Sequence, residues 1–311
     1  LDTANALANA LTSRYSLGNV ELVDINNMRT KHKKLTFTKM RGTGNDYLYF
    51  DCFDQTVESP ESLAVRLSNR RTGVGSDGIV LIMPSTIADA KMRMFNADGT
   101  EGSVAGNALR CVCKYLYENG HVRKDEMAVE TGSGVKTAKL FIREDQVFSV
   151  LVDMGCPAFA PAKIPVKLDG DRVMMRPVFL AGEKREISCV SMGNPHCVIF
   201  VRDPEVLDLN SIGPAFEHYS LFPRRTNVEF VRVISRDVLQ MRVWERGTGE
   251  TLACGTGACA AVVAATENGL CPKGEPITVK VSGGDLIVTY DDDGVRLTGN
   301  AELAFTGVTT Y

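Results

Sequence analysis

Two loop-to-helix junctions carry the residues best suited to chemistry, Ala105-Gly106-Asn107 and Cys254-Gly255-Thr256. A cysteine at a helix N-terminus meets unpaired backbone N–H groups and the positive end of the helix dipole, and both stabilise a thiolate. The same N–H groups form a site for a carboxylate. Cys254 is therefore a candidate acid or base, and each junction is a candidate carboxylate site.

Inversion of a stereocentre requires a base on one face of a carbon atom and an acid on the opposite face. Paired cysteines suit this task, because one is a thiolate and the other a thiol, with pKa values that can be tuned towards neutral pH. Two facing helix N-termini would hold an α-carboxylate and place one sulfur on each side of the α-carbon. Cys254 supplies one sulfur, whereas Ala105 supplies none.

The alternative for any buried cysteine is an inert, small hydrophobic residue, and most are of that kind. This interpretation is favoured for the other eight cysteines, among which Cys197 is the least secure. Cys254 differs because it lies at a loop-to-helix junction and not in a core strand. We therefore favour a catalytic role for Cys254.

The two halves of the chain align at one constant offset. Gly44-Asn45 falls on Gly193-Asn194, so the shift is 193 minus 44, or 149 residues, and Gly106 falls on Gly255 at the same shift. This regularity predicts a duplicated domain, and two pseudo-symmetric domains commonly bind a small ligand between them. At the aligned junctions the copies differ, with Ala105 opposite Cys254.

Four asparagines lie beside the duplicated junctions. A single asparagine at a strand end or in a loop usually caps a turn, but the set together indicates a polar pocket for a zwitterion. His196 is favoured as a positioning residue over a general base. The asparagines are Asn45, Asn96, Asn194 and Asn227.

Glu245-Arg246 is a charge pair of the kind that would hold a second ammonium and carboxylate, with a surface ion pair as the alternative. It favours a substrate with two polar ends.

Composition excludes several classes of partner and cofactor. A net charge of -3 and a pI near 5.9 provide no attraction for nucleic acid or an anionic membrane. No apolar stretch approaches the roughly 18 residues that span a bilayer. Nine scattered cysteines favour reduced thiols over a disulfide scaffold, and Cys111 and Cys113 are too close for a zinc knuckle. We expect no metal, no cofactor and a cytoplasmic location, or the plastid stroma in a photosynthetic eukaryote.

Short β-type runs separated by turn residues predict a mostly antiparallel sheet. Helical signals are fewer: one follows Ser59-Pro60, one has apolar spacing from Leu109 to Leu116 and a stop at Gly120, and one at 257–266 is apolar on every side. The fold class is therefore α+β. The predicted strands are 35–40, 47–51, 78–83, 91–96, 187–192, 197–201, 227–234, 238–245, 277–281 and 285–290.

The predicted organisation is two domains, at residues 35–155 and 156–295, with 296–311 returning to the first. Residues 1–34 share no pattern with the rest and are an extension or linker without an assigned function.

From residue 35 to its C-terminus the chain resembles the diaminopimelate epimerase family. The resemblance implies two similar α+β domains, each an antiparallel sheet curled around a central helix, without pyridoxal phosphate or metal. The motifs are Gly42-Thr43-Gly44-Asn45-Asp46, Gly73-Val74-Gly75-Ser76-Asp77, Phe95-Asn96-Ala97-Asp98-Gly99, Ser191-Met192-Gly193-Asn194-Pro195-His196-Cys197, Arg225-Thr226-Asn227 and 244–257.

The resemblance also implies roles for individual residues. Cys254 is one base, and Gly106-Asn107 and Gly255-Thr256 bind the α-carboxylate. The rest of the substrate is held by Asn45, Asn96, Asn194, Asn227, Glu245 and Arg246. The implied reaction interconverts LL- and meso-diaminopimelate for lysine or cell-wall synthesis, and a homodimer is a further expectation, although the sequence leaves the oligomeric state undetermined.

The resemblance breaks at Ala105, where the family has Cys-Gly-Asn. A methyl group neither accepts nor donates the proton, so this chain is expected not to complete an inversion. Because the surrounding motif is intact, we hypothesise that Ala105 is an engineered replacement of cysteine. Two alternatives stay open: a related racemase of another amino acid, and a non-catalytic amino-acid-binding protein in which Ala105 is native.

Overall fold

Four α-helices lie in the part of the chain that the structure describes, which comprises residues 34–102, 105–180 and 182–310 of this computed structural model. None of them is both long and apolar enough to cross a membrane. The predicted extension at 1–34 lies outside the described residues except for its last residue. The helices are α1 (Pro60–Ser68), α2 (Gly106–Glu118), α3 (Leu209–Glu217) and α4 (Gly255–Glu267), with a 3-10 turn at Pro161–Lys163.

The strands form one sheet, and their bounds fall into two series. The first is β1 (Lys34–Gly42), β2 (Asn45–Asp51), β3 (Gly78–Met83), β4 (Ala90–Asn96), β5 (Glu101–Gly102), β6 (Glu126–Thr131), β7 (Gly134–Arg143), β8 (Gln146–Gly155) and β9 (Val173–Leu180). The second is β10 (Glu183–Ser191), β11 (Pro195–Phe200), β12 (Asn227–Ser235), β13 (Val238–Glu245), β14 (Gly249–Thr251), β15 (Pro276–Val281), β16 (Gly284–Asp291), β17 (Gly294–Gly299) and β18 (Glu302–Thr310).

The residues divide into a compact unit, Phe37–Gly307, and a small unit made of Leu1–Thr36 and Val308–Tyr311. Every helix of the described residues and the candidate site belong to the larger unit. Of the smaller unit, the structure describes only the outer ends of β1 and β18. The domain boundaries expected at residues 155 and 295 stay a prediction.

Strand pairing follows the same order twice. In the first half β1 pairs antiparallel with β2, β2 parallel with β3, β3 antiparallel with β4, β4 parallel with β6, and β6, β7 and β8 antiparallel in turn. The second half repeats this with β10, β11, β12, β13, β15, β16 and β17. The halves join where β8 pairs antiparallel with β17.

The predicted α+β class with a mostly antiparallel sheet is confirmed. The preference for antiparallel pairing over helical crossovers was wrong at four places in the described sheet, because each of the four parallel pairs is bridged by a segment that contains one helix. A parallel pair requires such a crossover, since the chain must return to the same edge of the sheet.

The duplication predicted from the sequence is visible in the element bounds. Pro60–Ser68 and Leu209–Glu217 are shifted by 149 residues at both ends, and so are Gly106–Glu118 and Gly255–Glu267. Matched contacts accompany the matched bounds: Arg93 bonds Glu101 at 2.7 Å in one half and Arg242 bonds Glu250 at 2.8 Å in the other.

Each half has its own hydrophobic core around one helix. Helix α4 is built from small and β-branched apolar residues, and its stretch from Gly257 to Ala265 is buried throughout, as its all-round apolar pattern predicted. Helix α2 buries Leu109, Val112 and Leu116 on one face. Burying each such aliphatic side chain contributes about 1.5–3 kcal/mol. The sheet therefore holds the N-terminus of each helix in a fixed place.

The beginning of α1 differs from its prediction. Pro60 occupies the first turn as expected, but Ser59 has a left-handed φ of 44° and its side chain does not cap the helix. An N-cap side chain needs an extended backbone to reach the N–H groups of the next turn. Helix α3 was not predicted, since Gly213 and Pro214 lie within it and both disfavour helices.

Candidate active site

A cleft of about 420 Å³ contains both loop-to-helix junctions. Nine of the predicted site residues line it: Asn45, Ala105, Gly106, Asn107, Asn194, Glu245, Cys254, Gly255 and Thr256. The starts of α2 and α4 are adjacent, because a Cβ placed on Gly255 would lie 3.7 Å from Oδ1 of Asn107. Both helix N-termini thus reach one ligand-sized space.

Ala105 and Cys254 are the N-cap residues of their helices. Their backbones are almost superimposable in conformation, with φ −129° and ψ 127° at Ala105 and φ −128° and ψ 112° at Cys254. Cys254 Sγ accepts a hydrogen bond from the Gly257 N–H at 3.4 Å, as an N-cap side chain does. Ala105 has no side-chain atom that can do the same.

The charge state of Cys254 differs from the simple expectation of a thiolate. Burial and the neighbouring carboxylates of Glu245 and Glu229 raise the pKa of the Cys254 thiol well above its usual value. The Thr256 hydroxyl and the Gly257 N–H lower that pKa, but they are outweighed. Burial disfavours the charged form of a thiol, and like charges nearby disfavour it further. Cys254 is therefore a protonated thiol, the form that donates.

A chain of hydrogen bonds runs from Cys254 to a buried carboxylate. Cys254 Sγ lies 3.5 Å from Thr256 Oγ1, which accepts from Asn194 Nδ2 at 3.2 Å. Asn194 Oδ1 lies 2.9 Å from His196 Nε2, and His196 Nδ1 lies 2.7 Å from Glu229 Oε1. This arrangement suits a positioning role for His196, because its ring is fixed at both nitrogens while it lies outside the cleft lining.

Glu229 was missed by the sequence analysis. It is fully buried on β12 between Val228 and Phe230, and its Oε2 atom has no hydrogen-bond partner. An acidic residue inside an apolar strand run is the signal that was available, because a buried carboxylate costs free energy unless it is paired.

Glu245 and Arg246 do not act as one charge pair. Glu245 lines the cleft, where Thr251 Oγ1 donates to its carboxylate and burial raises its pKa. Arg246 is exposed, and its Nη1 donates to the Arg224 carbonyl at 3.3 Å. Consecutive residues at a strand end point in different directions, which separates the two side chains.

In the first half, two asparagines bridge the turn between β1 and β2 to helix α2. Asn107 Nδ2 donates to Asn45 Oδ1 at 2.6 Å, and Asn45 Nδ2 donates to Asp77 Oδ2 at 3.1 Å. Asn107 Oδ1 is buried without a hydrogen-bond partner. A buried acceptor in this state marks a place where a ligand or a water donates.

Two further predicted residues lie outside the cleft lining. Asn96 donates from Nδ2 to Thr100 Oγ1 at 2.9 Å. Asn227 donates to the Pro195 carbonyl at 3.0 Å and accepts from the Arg246 N–H at 2.9 Å. The substrate contacts expected of Asn96, Asn227 and Arg246 stay predictions.

The cleft also contains residues that the sequence analysis did not select, namely Tyr47, Ser133, Lys136, Asp153, Met154 and Met192. Lys136 is a half-buried cation on β7. Its strand was not predicted from the sequence.

Sequence comparison finds close relatives over most of the chain. A family model described as diaminopimelate epimerase matches residues 37–160 and 188–304. The chain is 50% identical over 275 residues to a diaminopimelate epimerase of Acetivibrio thermocellus, covering 88% of this chain and 98% of that protein. It is 51% identical over 281 residues to a diaminopimelate epimerase of Desulfovibrio desulfuricans, covering 88% and 97%.

Solved structures of low sequence identity share the fold. A PhzF-family phenazine biosynthesis protein of Bacillus anthracis has a TM-score of 0.65 at 17% identity, covering 89% of this chain and 99% of that one. A probable proline racemase of Agrobacterium radiobacter has a TM-score of 0.62 at 13% identity, with coverages of 88% and 92%. With matched junctions on a duplicated scaffold and about half of all aligned residues identical to two of its members, the chain belongs to the diaminopimelate epimerase family.

Proposed function

We propose that this site interconverts LL- and meso-diaminopimelate by proton transfer at an α-carbon when position 105 carries a cysteine. The observation that carries the proposal is the equivalence of Ala105 and Cys254, which have matching N-cap conformations and line one cleft. Two sulfurs at these positions would flank a carbon atom held between the helix N-termini.

The helix N-termini supply the carboxylate site. Backbone N–H groups at Gly106-Asn107 and Gly255-Thr256 have no partners within their helices, and the positive dipole ends favour an anion. Asn107 Oδ1, buried and unpaired, accepts from the substrate ammonium. These contacts fix the α-carbon between the two junctions.

The reaction then needs only the two sulfurs. A thiolate on one face takes the α-proton and becomes a thiol, while the thiol on the opposite face gives its proton to the carbanion and becomes a thiolate. The number of protons on the enzyme is unchanged, and the carbon is inverted. Cys254, held in its protonated form, is the donor in the first turnover.

The far end of the substrate carries a second ammonium and carboxylate. Glu245 and Asn194 line the cleft and present an anionic acceptor and an amide to it. We assign the remaining contacts to Asn96, Asn227 and Arg246, as the family resemblance implies. These residues favour diaminopimelate over an amino acid with an apolar side chain.

As the sequence stands, Ala105 leaves one face without an acid or base, so the chain binds substrate without inverting it. We propose that Ala105 replaces a cysteine. A second function, an amino-acid-binding protein with a native alanine, is favoured by Ala105 alone. The codon at position 105 of the encoding gene separates the two.

The deciding experiment is the Ala105→Cys variant incubated with LL-diaminopimelate and analysed by chiral chromatography. We expect meso-diaminopimelate to form with the variant and not with the parent or with Ala105→Ser. A variant that binds diaminopimelate yet forms no meso isomer contradicts the proposal. The homodimer stays a prediction, to be tested by size-exclusion chromatography with light scattering.

A further inference from the structure

Arg110 is the largest fully buried side chain of the described residues, and the proposed mechanism has not used it. It lies one turn after Asn107 on α2. Its Nε donates to the Asn300 carbonyl at 3.1 Å and its Nη2 donates to Thr43 Oγ1 at 2.9 Å. Its Nη1 is buried without a hydrogen-bond partner, and no described carboxylate forms an ion pair with it.

The backbone around Arg110 is shaped to admit it. A Cβ at Gly299 would lie 2.8 Å from Cζ of the guanidinium, and a Cβ at Gly42 would lie 3.4 Å from Nη2. The absence of a side chain at Gly299 therefore leaves space that the guanidinium fills, whereas a Cβ at Gly42 would meet Nη2 only in ordinary contact. A buried charge without a counter-charge is unfavourable. A guanidinium that the surrounding backbone is shaped to hold is therefore expected to have a function.

Among the residues that the structure describes, no titratable group around Arg110 cancels its charge at neutral pH. The groups that face it are Tyr49 on β2, Cys111 on α2 and Cys259 on α4. Burial raises the pKa of Cys111 to about 11, of Cys259 to about 12, and of Tyr49 well above its usual value. All three are neutral, and the positive charge stands uncompensated beside the start of α2.

Arg110 also grips the turn that carries Asn45. Thr43 has a left-handed φ of 50°, and its N–H donates to Asn300 Oδ1 at 3.3 Å. Arg110 holds Thr43 from one side, and Asn107 bonds Asn45 two residues later. Helix α2 thus holds both ends of this turn with side chains one helical turn apart.

The second half has the opposite charge. The residue that corresponds to Arg110 at the offset of 149 is Cys259, which is neutral, and Cys254 is flanked by Glu229 and Glu245. The two junctions therefore differ in charge: the helix that begins after Ala105 carries a buried cation one turn after Asn107, and Cys254 is under the influence of two carboxylates.

We propose that Arg110 is a positioning residue that fixes the turn at residues 43–45 and makes the first junction the anion-holding side of the cleft. A cysteine at position 105 is then the resting thiolate, and Cys254 is the resting thiol. This inference rests on the proposed function, because it assigns the starting roles of its two sulfurs. It also explains which of the two sulfurs begins as the base, which the duplicated backbone alone does not determine.

The test uses the Ala105→Cys protein and iodoacetamide, with peptide mass spectrometry to identify which cysteine is labelled. We expect the cysteine introduced at position 105 to be labelled before Cys254 at neutral pH. Arg110→Met should raise the pKa of that cysteine by about one unit and slow its labelling about tenfold. Arg110→Lys keeps the charge, so the labelling rate should stay within about threefold while KM for diaminopimelate rises.

The Thr43→Val variant distinguishes the effect of Arg110 on the turn at residues 43–45 from the effect of its charge. It removes one hydrogen bond to Arg110 and should raise KM while leaving the labelling rate at position 105 unchanged. The inference is overturned if Cys254 is labelled before the cysteine at position 105 in the Ala105→Cys protein. It is also overturned if Arg110→Met leaves the labelling rate at position 105 unchanged. If circular dichroism shows that Arg110→Met does not fold, the Arg110→Lys and Thr43→Val variants provide the test. A loss of labelling at position 105 in Thr43→Val would also contradict the inference.

The failure of the proposed function gives a different result. In that case the Ala105→Cys protein forms no meso isomer, whereas the order of labelling and its dependence on Arg110 still report on the charge at the first junction.

Discussion

Glu229 Oε1 lies 2.7 Å from His196 Nδ1, and neither side chain is exposed to solvent. The pair is packed closely against α4, because a Cβ at Gly257 would lie only 2.8 Å from the same carboxylate oxygen. The ring of His196 in turn orients Asn194, which lines the cleft. A substitution in this pair is therefore expected to change both the packing of the core and the position of Asn194 in the cleft.

Replacing Glu229 by alanine should lower the free energy of unfolding by about 3–5 kcal/mol, because it leaves the buried imidazole without its partner. Glu229→Gln keeps a hydrogen-bond acceptor of the same size and should cost less. Urea unfolding followed by circular dichroism measures both. Equal losses in the two variants would show that the negative charge of Glu229, and not its volume or a retained acceptor, determines the effect.

Glu245→Gln should make Cys254 more reactive. The carboxylate of Glu245 is the negative charge that raises the pKa of this thiol most, so its removal lowers that pKa. The rate of alkylation by iodoacetamide at a fixed pH below the pKa should rise by up to about tenfold, with the inflection moved to lower pH. Glu250→Gln on the exposed side of the same hairpin is the matched control, and a similar change there would contradict the assignment.

The chain with Ala105 should still exchange one α-hydrogen of diaminopimelate with solvent. In the proposed site Cys254 lies on one face of the α-carbon, so it is expected to remove the proton of only one stereoisomer and to return a deuteron to the same face. In D₂O, proton NMR should show loss of one α-signal without inversion, faster at higher pH because burial keeps this thiol protonated. Equal deuteration of both stereoisomers is the contrary result, and Cys254→Ala should exchange neither.

Gly213→Ala should destabilise the protein by about 1–3 kcal/mol or more, because α3 packs its backbone against an indole ring. The added Cβ would lie 2.2 Å from Cδ2 of Trp244, whose Nε1 donates to Glu217 Oε2. Gly106→Ala is the control for stability, since its Cβ would meet only ordinary contacts at 3.8 Å and beyond. Thermal unfolding that leaves Gly213→Ala unchanged would mean that the indole moves aside.

The sequence predicted the parts of the fold that have one-dimensional signals. The strands at Gly78–Met83 and Val238–Glu245 have the predicted bounds, and α4 lies where its all-round apolar pattern placed it. Strands β6 and β7 were missed because they interleave charged and apolar residues without a long apolar run, and β8 has exposed residues such as Gln146 and Phe148 between its buried ones. The sequence therefore did not identify residues such as Lys136 on β7 as part of the cleft lining.

The site was predicted as far as internal comparison reaches. The offset between the halves located both N-caps and revealed the difference between Ala105 and Cys254 before any coordinates. Charges that act through space were not accessible in this way, because Glu229 is distant in sequence from Cys254, and the spacing of residues does not show that the Arg110 side chain is buried without a counter-charge. Whether a helix N-terminus stabilises a thiolate depends on such neighbours, and at Cys254 they reverse the expected sign.

The duplication within a single chain also explains how the two faces of the site can differ from each other. Two identical subunits around one axis would present the same side chains to both faces of a substrate, so the two faces could not differ in charge. Covalent linkage of the copies through a single chain, with the β8–β17 ladder as the seam, lets each face diverge at residues such as Arg110 and Glu229 while the backbone stays symmetric. A few side chains thus make the two faces of the site electrically different on a backbone that is nearly symmetric.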